Sequence, residues 1–158
     1  MKLRNITPGD YAPIIAVLND WWGGRQMSDM LPKLFFEHFQ GTSFVAQAED
    51  GSIAGFIVGF LSQSQSDEAY IHFVGVHPEQ RKGGVGKLMY ECFFDEVLRR
   101  GRHMVSCVTS TVNKNSIAFH LRMGFMPKAS TTYLEDGTPY IDNYDGKGEA
   151  RVVFTKQL

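Results

Sequence analysis

A chain of 158 residues, 43% hydrophobic and 13% aromatic, is sized for one domain, 1–158, and carries enough apolar material for a packed core. Sixteen Lys and Arg against seventeen Asp and Glu give a formal charge of -1, which excludes a global field for nucleic acid or anionic membrane and requires any anion to be held locally. No apolar run reaches the roughly 20 residues of a membrane helix and MKLRNITPGD lacks a signal-peptide core, so a cytoplasmic location is expected.

In chain order, Met1 to Ile6 reads as a short strand, and Thr7, followed by Pro8 and Asp10, opens a helix to about Leu18. Ser28 to Gln40 is expected as a second helix, because Leu31, Leu34, Phe35 and Phe39 recur at helical spacing. Thr42 to Ala48 and Ile53 to Leu61 read as strands joined by the hairpin turn Glu49-Asp50-Gly51-Ser52, and another strand spans about Ala69 to Val76. A third helix ends near Arg100. Then come the strand Met104 to Thr109, a helix from Lys114 to Met123, and strand pieces at Phe125 to Tyr133 and Arg151 to Thr155. The order βααβββαβαββ predicts an α/β fold, a mixed sheet with helices on both faces. Cys92 and Cys107 lie in apolar periodic segments outside any metal or redox spacing and read as reduced core thiols.

Between the strand and the third helix, HPEQRKGGVGKLMY (His77 to Tyr90) crowds three glycines and three cations into one turn. A P-loop would need Gly where Arg81 stands and Ser or Thr where Leu88 stands; a dinucleotide fingerprint would need a third Gly at Met89. Gly83, Gly84 and Gly86 carry no Cβ, so successive N–H groups around Val85 can face one anion. The helix beginning there adds unpaired N–H groups and the positive end of its dipole, while Arg81, Lys82 and Lys87 add charge. The pattern reads as a pyrophosphate cradle; a turn loosened by glycine, with solvated cations, has the same composition.

Downstream, Asn113 is a good N-cap and Gly124 a good helix-ending residue, with Asn113, Ser116 and His120 along one side. Ile117 and Leu121 form the neighbouring apolar stripe, expected to be buried, and the polar stripe then faces either a cleft or solvent.

These residues resemble the GNAT superfamily of acetyl-CoA-dependent N-acetyltransferases. Its signature of Arg or Gln, two residues, Gly, one residue, Gly or Ala is present as Arg81-Lys82-Gly83-Gly84-Val85-Gly86. The similarity extends to Val74-Gly75-Val76-His77-Pro78 and to Asn113 through Gly124-Phe125, and with the element order covers nearly the whole chain. The resemblance implies acetyl-CoA as co-substrate, with no metal. Its pantetheine arm would enter where the strand matching 69–76 splays from that matching 104–109, pairing with backbone groups of Val74 and Val76 as an added strand around Gly75. Its pyrophosphate would rest on the amides from Arg81 to Gly86, next to Lys87, with Asn113 and Ser116 also on the cofactor. The family's usual Tyr, placed to protonate the departing thiolate, is replaced by His120, whose ordinary pKa of about 6.5 suits a group that recharges at neutral pH.

An amine acceptor with a pKa of about 10 must lose a proton before it attacks. Where family members often carry a carboxylate, this chain has His72, which by strand alternation shares a face with Tyr70, Val74 and Val76. His72 is thus a candidate base or water-holder, or else a structural histidine. Acceptor choice is expected from Asn19 to Met27: of Trp21 and Trp22 one ring should line a pocket, and Arg25 can grip an acceptor carboxylate or phosphate or stay solvated over a Trp face. Tyr133 to Glu149 is the second candidate segment, turn-rich and acidic but without calcium-loop spacing. Cys107 raises an acyl-enzyme route, yet direct attack on an activated thioester is simpler. The leading reading is an N-acetyltransferase acting on a small-molecule amine, or a peptide amine, with no nucleic-acid or membrane partner and a homodimer allowed. The alternative is a catalytically silent acyl-CoA sensor.

Overall fold

A computed structural model describes residues 1–158. The strands are β1 Lys2–Asn5, β2 Phe44–Gln47, β3 Ile53–Leu61, β4 Glu68–Val76, β5 Met104–Ser110, β6 Met126–Pro127, β7 Thr132–Tyr133, β8 Pro139–Tyr140 and β9 Arg151–Gln157. The helices are α1 Tyr11–Trp21, α2 Leu34–His38, α3 Val85–Arg99 and α4 Lys114–Arg122. Hydrogen-bonded neighbours run β1-β2-β3-β4-β5-β9-β6, the expected mixed sheet, and β7 pairs separately with β8. Packing divides the chain into two compact units, Met1–Leu61 with Ile71–Gly101, and Ser62–Tyr70 with Arg102–Leu158.

In the first unit β1, β2 and β3 pair antiparallel, with a register shift at Ala46/Gln47. Alternation along β3 assigns its two faces. Phe56 and Val58 join Ile14, Leu18 and Trp21 of α1, Leu31, and Phe36 of α2 in one buried cluster. Gly55 points the other way, where a Cβ would stand 2.9 Å from Met89 of α3. Helices therefore cover both faces, and each fully buried phenylalanine such as Phe36, Phe56 or Phe93 contributes roughly 1.5–3 kcal/mol of burial.

The expected helix from Ser28 to Gln40 does not form as one piece. A 3-10 turn covers Ser28–Met30, Leu31 leaves the helical region at φ -132° and ψ 68°, and only Leu34–His38 is α-helical. Pro32 is the cause: its ring excludes the helical region for the preceding residue, and it has no N–H to donate. By contrast α1 continues three residues past Leu18 to Trp21, since Leu18 and Trp21 both bury on the helix's inner face.

In the second unit Glu68–Tyr70 of β4 pairs parallel with Met104–Ser106, and β5 pairs antiparallel with β9 along all seven residues. Arg102 holds the approach to β4, its Nη1 donating to the carbonyls of Ser62 at 2.9 Å, Gln65 at 3.1 Å and Glu68 at 2.9 Å. Asn113 caps α4 by accepting from the Ser116 N–H at 3.1 Å, and Gly124 ends it at φ +89°, as their residue types required. No helix is long and apolar enough to cross a membrane.

Candidate active site

In the first unit the glycine turn is built around backbone. Lys82 and Gly84 adopt the left-handed region, at φ 71° and 84°. Gly84 is the N-cap of α3, offers no side-chain cap, and is followed by no acidic residue in the first turn. The first helical bond runs from Leu88 N–H to Gly84 carbonyl, 3.0 Å, so the N–H groups of Val85, Gly86 and Lys87 precede the intrahelical ladder. A Cβ on Gly84 would meet nothing within 4 Å, and that open space lies at the positive end of the helix dipole. Uncapped amides, a first helical turn without a carboxylate, and open space are what a pyrophosphate needs, so the residues fit the group the sequence implied.

Arg81 holds the turn in place. Its Nη2 donates to the Trp21 carbonyl and its Nε to the Val76 carbonyl, 3.3 Å, tying the turn to α1 and to the end of β4. Lys82 is exposed, and Lys87 makes only a loose 3.7 Å pair with Glu91. These two lysines are the turn's exposed cations. His77 accepts the Glu79 N–H at 3.1 Å and lies edge-on to Trp21, which makes it part of the turn as expected.

β4 carries two sets of aromatic contacts in this unit, one at His72 and one at Phe73. His72 stacks on Phe35, with ring centroids 4.2 Å apart and planes 11° from parallel. Its Nε2 lies 2.6 Å from the Met30 carbonyl, which can only accept, so Nε2 carries the hydrogen and Nδ1 keeps the lone pair. Burial pushes the His72 pKa below the ordinary histidine value, with the Met30 bond opposing it, and the ring is neutral at pH 7. Trp22 leans on Phe73 at 5.1 Å, while Trp21 is buried against Phe56 at 6.1 Å. Trp21 is core, and half-buried Trp22 packs against the same cluster from its edge. Gly75 allows this packing, since a Cβ there would stand 2.5 Å from Phe56 and 3.2 Å from Trp22. Arg25 is exposed beyond Gly23 and Gly24, both at positive φ.

In the second unit a polar cluster joins β5 to α4. Thr109 Oγ1 donates to Ser116 Oγ at 2.9 Å, and His120 Nδ1 lies 2.7 Å from the Ser116 carbonyl and 3.3 Å from Ser116 Oγ. His120 is buried at 7% exposure, stacked on Phe154 at 5.1 Å and edge-on to Phe125. Burial lowers its pKa, opposed by the Ser116 bond. Proton donation to a thiolate would need the imidazolium, the form this environment disfavours. The expected stripe on α4 is also shifted: Ile117 and His120 are inside, and Leu121 is 46% exposed. Positions 117 and 120 lie three apart on one face, and the aromatic pocket of Phe125 and Phe154 takes the imidazole. Cys107 is buried, and burial drives its thiol pKa upward, away from the thiolate that an acyl-enzyme step requires.

The Acetyltransferase (GNAT) family model matches residues 11–125. The chain belongs to the GNAT acetyltransferase family. It is 32% identical over 116 residues to the L-2,4-diaminobutyric acid acetyltransferase of Nocardia farcinica, a match covering 73% of this chain and 60% of that protein. It is 30% identical over 87 residues to the N-alpha-acetyltransferase 60 of Drosophila melanogaster, covering 53% of this chain and 29% of that protein. Ard1 from Thermoplasma volcanium shares the fold, with a TM-score of 0.78, 21% identity and coverage of 99% and 97% of the two chains. Within the signature Arg81 is a strut and Gly84 stands at open space. Sequence reasoning missed Lys82 in the left-handed region, Thr109, and the Met30 carbonyl. Of these only Thr109 carried a signal, a hydroxyl at the same parity as buried Val105 and Cys107, marking where that face turns polar.

Proposed function

We propose that this chain is an N-acetyltransferase that moves the acetyl group of acetyl-CoA to the primary amine of a small molecule by direct attack on the thioester. The observation that carries this reading is the acid-free, uncapped start of α3, where the amides of Val85, Gly86 and Lys87 adjoin open space at Gly84. Amides from Arg81 to Lys87 hold the coenzyme's pyrophosphate, with Lys82 and Lys87 adding charge. Backbone groups of Val74 and Val76, on either side of Gly75, hold its pantetheine arm. The Val76 carbonyl already accepts from Arg81, which leaves its second lone pair for that pairing. Asn113 and Ser116 complete the cofactor contacts.

His72 is the proton acceptor in this scheme. Its neutral ring is locked by Phe35 and by the Met30 carbonyl, so its lone pair sits on Nδ1, ready for the ammonium proton directly or through one water. Trp22 lines the acceptor's apolar part, Trp21 supports that wall from the core, and Arg25 meets an acceptor carboxylate. A diamino acid such as the one named for the Nocardia farcinica relative would supply both amine and carboxylate. His120 is the candidate donor to the departing sulfur, acting as imidazolium; activity through it climbs as pH falls toward its depressed pKa.

Mixing the protein with acetyl-CoA and a panel of amines, diamino acids included, and following free thiol release tests the reading. Thiol release with at least one small amine supports it; binding without release across the panel marks an acyl-CoA sensor. His72→Phe keeps the ring stack and should lower kcat/KM by about a hundredfold, with CoA affinity retained. An unchanged kcat/KM would reduce His72 to a structural clamp.

A further inference from the structure

The first unit carries a second concavity, on the flank of α3 rather than at its N-terminus. A groove of about 400 Å³ is lined by residues of α3, β1 and β2, a volume in the range of small-molecule sites. Its apolar lining is Leu3 of β1, Phe44 of β2, and Leu88 and Cys92 of α3. Leu88 and Cys92 share a stripe of α3 beside the one that sends Val85, Met89, Phe93 and Val97 into the core, and Leu88 is 40% exposed there. The charged lining is mostly acidic. Glu91 and Asp95 are exposed carboxylates one helical turn apart, an arrangement that repels. Glu91 has only Lys87, 3.7 Å away and itself largely in solvent, and Asp95 is in no ion pair. Glu96 differs, because Arg99 and Arg100 both pair with it, Arg100 at 2.9 Å. The surplus charge of the groove is therefore negative and sits on Glu91 and Asp95. Burial, and then the charges of Asp95 and Glu96, hold the Cys92 thiol above its ordinary pKa, so the thiol stays neutral and belongs to the apolar lining.

We propose that this groove is a binding site for a small organic ammonium ion with an apolar body. Its hydrocarbon part covers Leu3, Phe44 and Leu88, and its N–H groups donate to the carboxylates of Glu91 and Asp95. The two halves of the lining select that class together. An inorganic cation would leave the apolar lining wet, and a neutral hydrocarbon would leave two carboxylates in repulsion. An organic anion meets the surplus negative charge and is refused. A volume of this size takes one small molecule and not a folded segment of another protein. The lining of α3 begins at Leu88, beyond the amides of Val85, Gly86 and Lys87, so an occupant here leaves those three amides open. Because it spans α3, β1 and β2, the occupant binds only the folded chain and stabilises it by mass action.

The probe is 4-phenylbutylammonium, set against 4-phenylbutanol, which keeps the body without the charge, and 4-phenylbutyrate, which reverses the charge. Backbone N–H resonances of the labelled protein, titrated without CoA, locate the binding independently of any acetyl transfer. The ammonium should move Leu3, Phe44, Leu88, Cys92 and Asp95 saturably, with a Kd on the order of millimolar that weakens as salt rises. The alcohol should bind roughly fivefold more weakly, and the carboxylate should not saturate. Glu91→Gln combined with Asp95→Asn should reduce the ammonium to the affinity of the alcohol, while Leu3→Ala should weaken both ligands alike. The paired amide variant changes only exposed groups, so it reads the site even if Leu3→Ala does not fold. Shifts confined to other residues, equal affinity for ammonium and alcohol, or unchanged affinity in the paired variant overturns the proposal. Groove resonances that move with protein concentration and not with the ammonium give the groove to a second copy of this chain, which overturns it as well.

Discussion

The turn from Arg81 to Lys87 and the cluster of Thr109, Ser116 and His120 solve different problems with different materials. The turn works with main chain: glycines, a left-handed lysine and helix amides that precede the ladder, with Arg81 as an internal brace. The cluster works with side chains, and its behaviour depends on which atom of each carries a hydrogen. A backbone site tolerates exchange of most side chains but not added bulk. A side-chain site should answer to single-atom changes while leaving binding nearly intact.

Gly84→Val breaks the contrast most sharply. A β-branched residue at φ +84° is strained, and its methyl groups would fill the open space before Val85 and Gly86. CoA affinity should fall on the order of a hundredfold, about 2.8 kcal/mol, in calorimetric titration. Unchanged affinity in a folded variant would detach the turn from the coenzyme.

His120→Phe tests the other side. The ring still fits between Phe154 and Phe125, so CoA affinity should stay within about twofold while kcat drops roughly tenfold; an unchanged rate removes His120 from the chemistry. The same variant sharpens a pH prediction. Both His72 and His120 have folded pKa values below the ordinary 6.5, so the unfolded chain binds more protons in that window. Stability is therefore fully present above about pH 6.5 and is lost as pH falls through the folded values. Denaturant unfolding at pH 7.5 and 5.5 should show a smaller acid loss in His120→Phe than in wild type, by up to about 1.4 kcal/mol per pH unit. Equal losses would place the titration elsewhere.

The same contrast explains what the sequence could tell. Glycines announce a backbone site directly, because few other functions require three within four positions, and the Arg81 to Gly86 pattern was readable with its family. Alternation along β4 correctly separated half-buried Tyr70, His72, Val74 and Val76 from buried Ala69, Ile71, Phe73 and Gly75. On α4 the same style of reasoning buried Leu121 and turned His120 toward a cleft or solvent, whereas Leu121 is 46% exposed and His120 is buried. Apolarity alone cannot foresee that Phe125 and Phe154, distant in sequence, make a flat pocket for an imidazole. The spacing of Leu31, Leu34, Phe35 and Phe39 carries no information on Pro32, and it is the proline that divides the expected helix.

The smallest expected effect separates conformation from charge inside the turn. Lys82→Gly relieves a left-handed side chain at φ 71° and should raise stability by up to about 1 kcal/mol, while removing one cation weakens CoA binding only a fewfold, more at low salt than at high. A loss of stability would show that the Lys82 side chain makes contacts that outweigh its strain.

Whether a diphosphate lies on the open amides of α3 is tested most directly by following backbone N–H resonances of the labelled protein during titration with CoA, and with adenosine 3′,5′-bisphosphate as a control lacking the pyrophosphate. With the coenzyme seated as proposed, the amides of Gly84, Val85, Gly86 and Lys87 shift strongly and saturably with CoA and little with the control. CoA binding that leaves those four resonances in place while others move would contradict it.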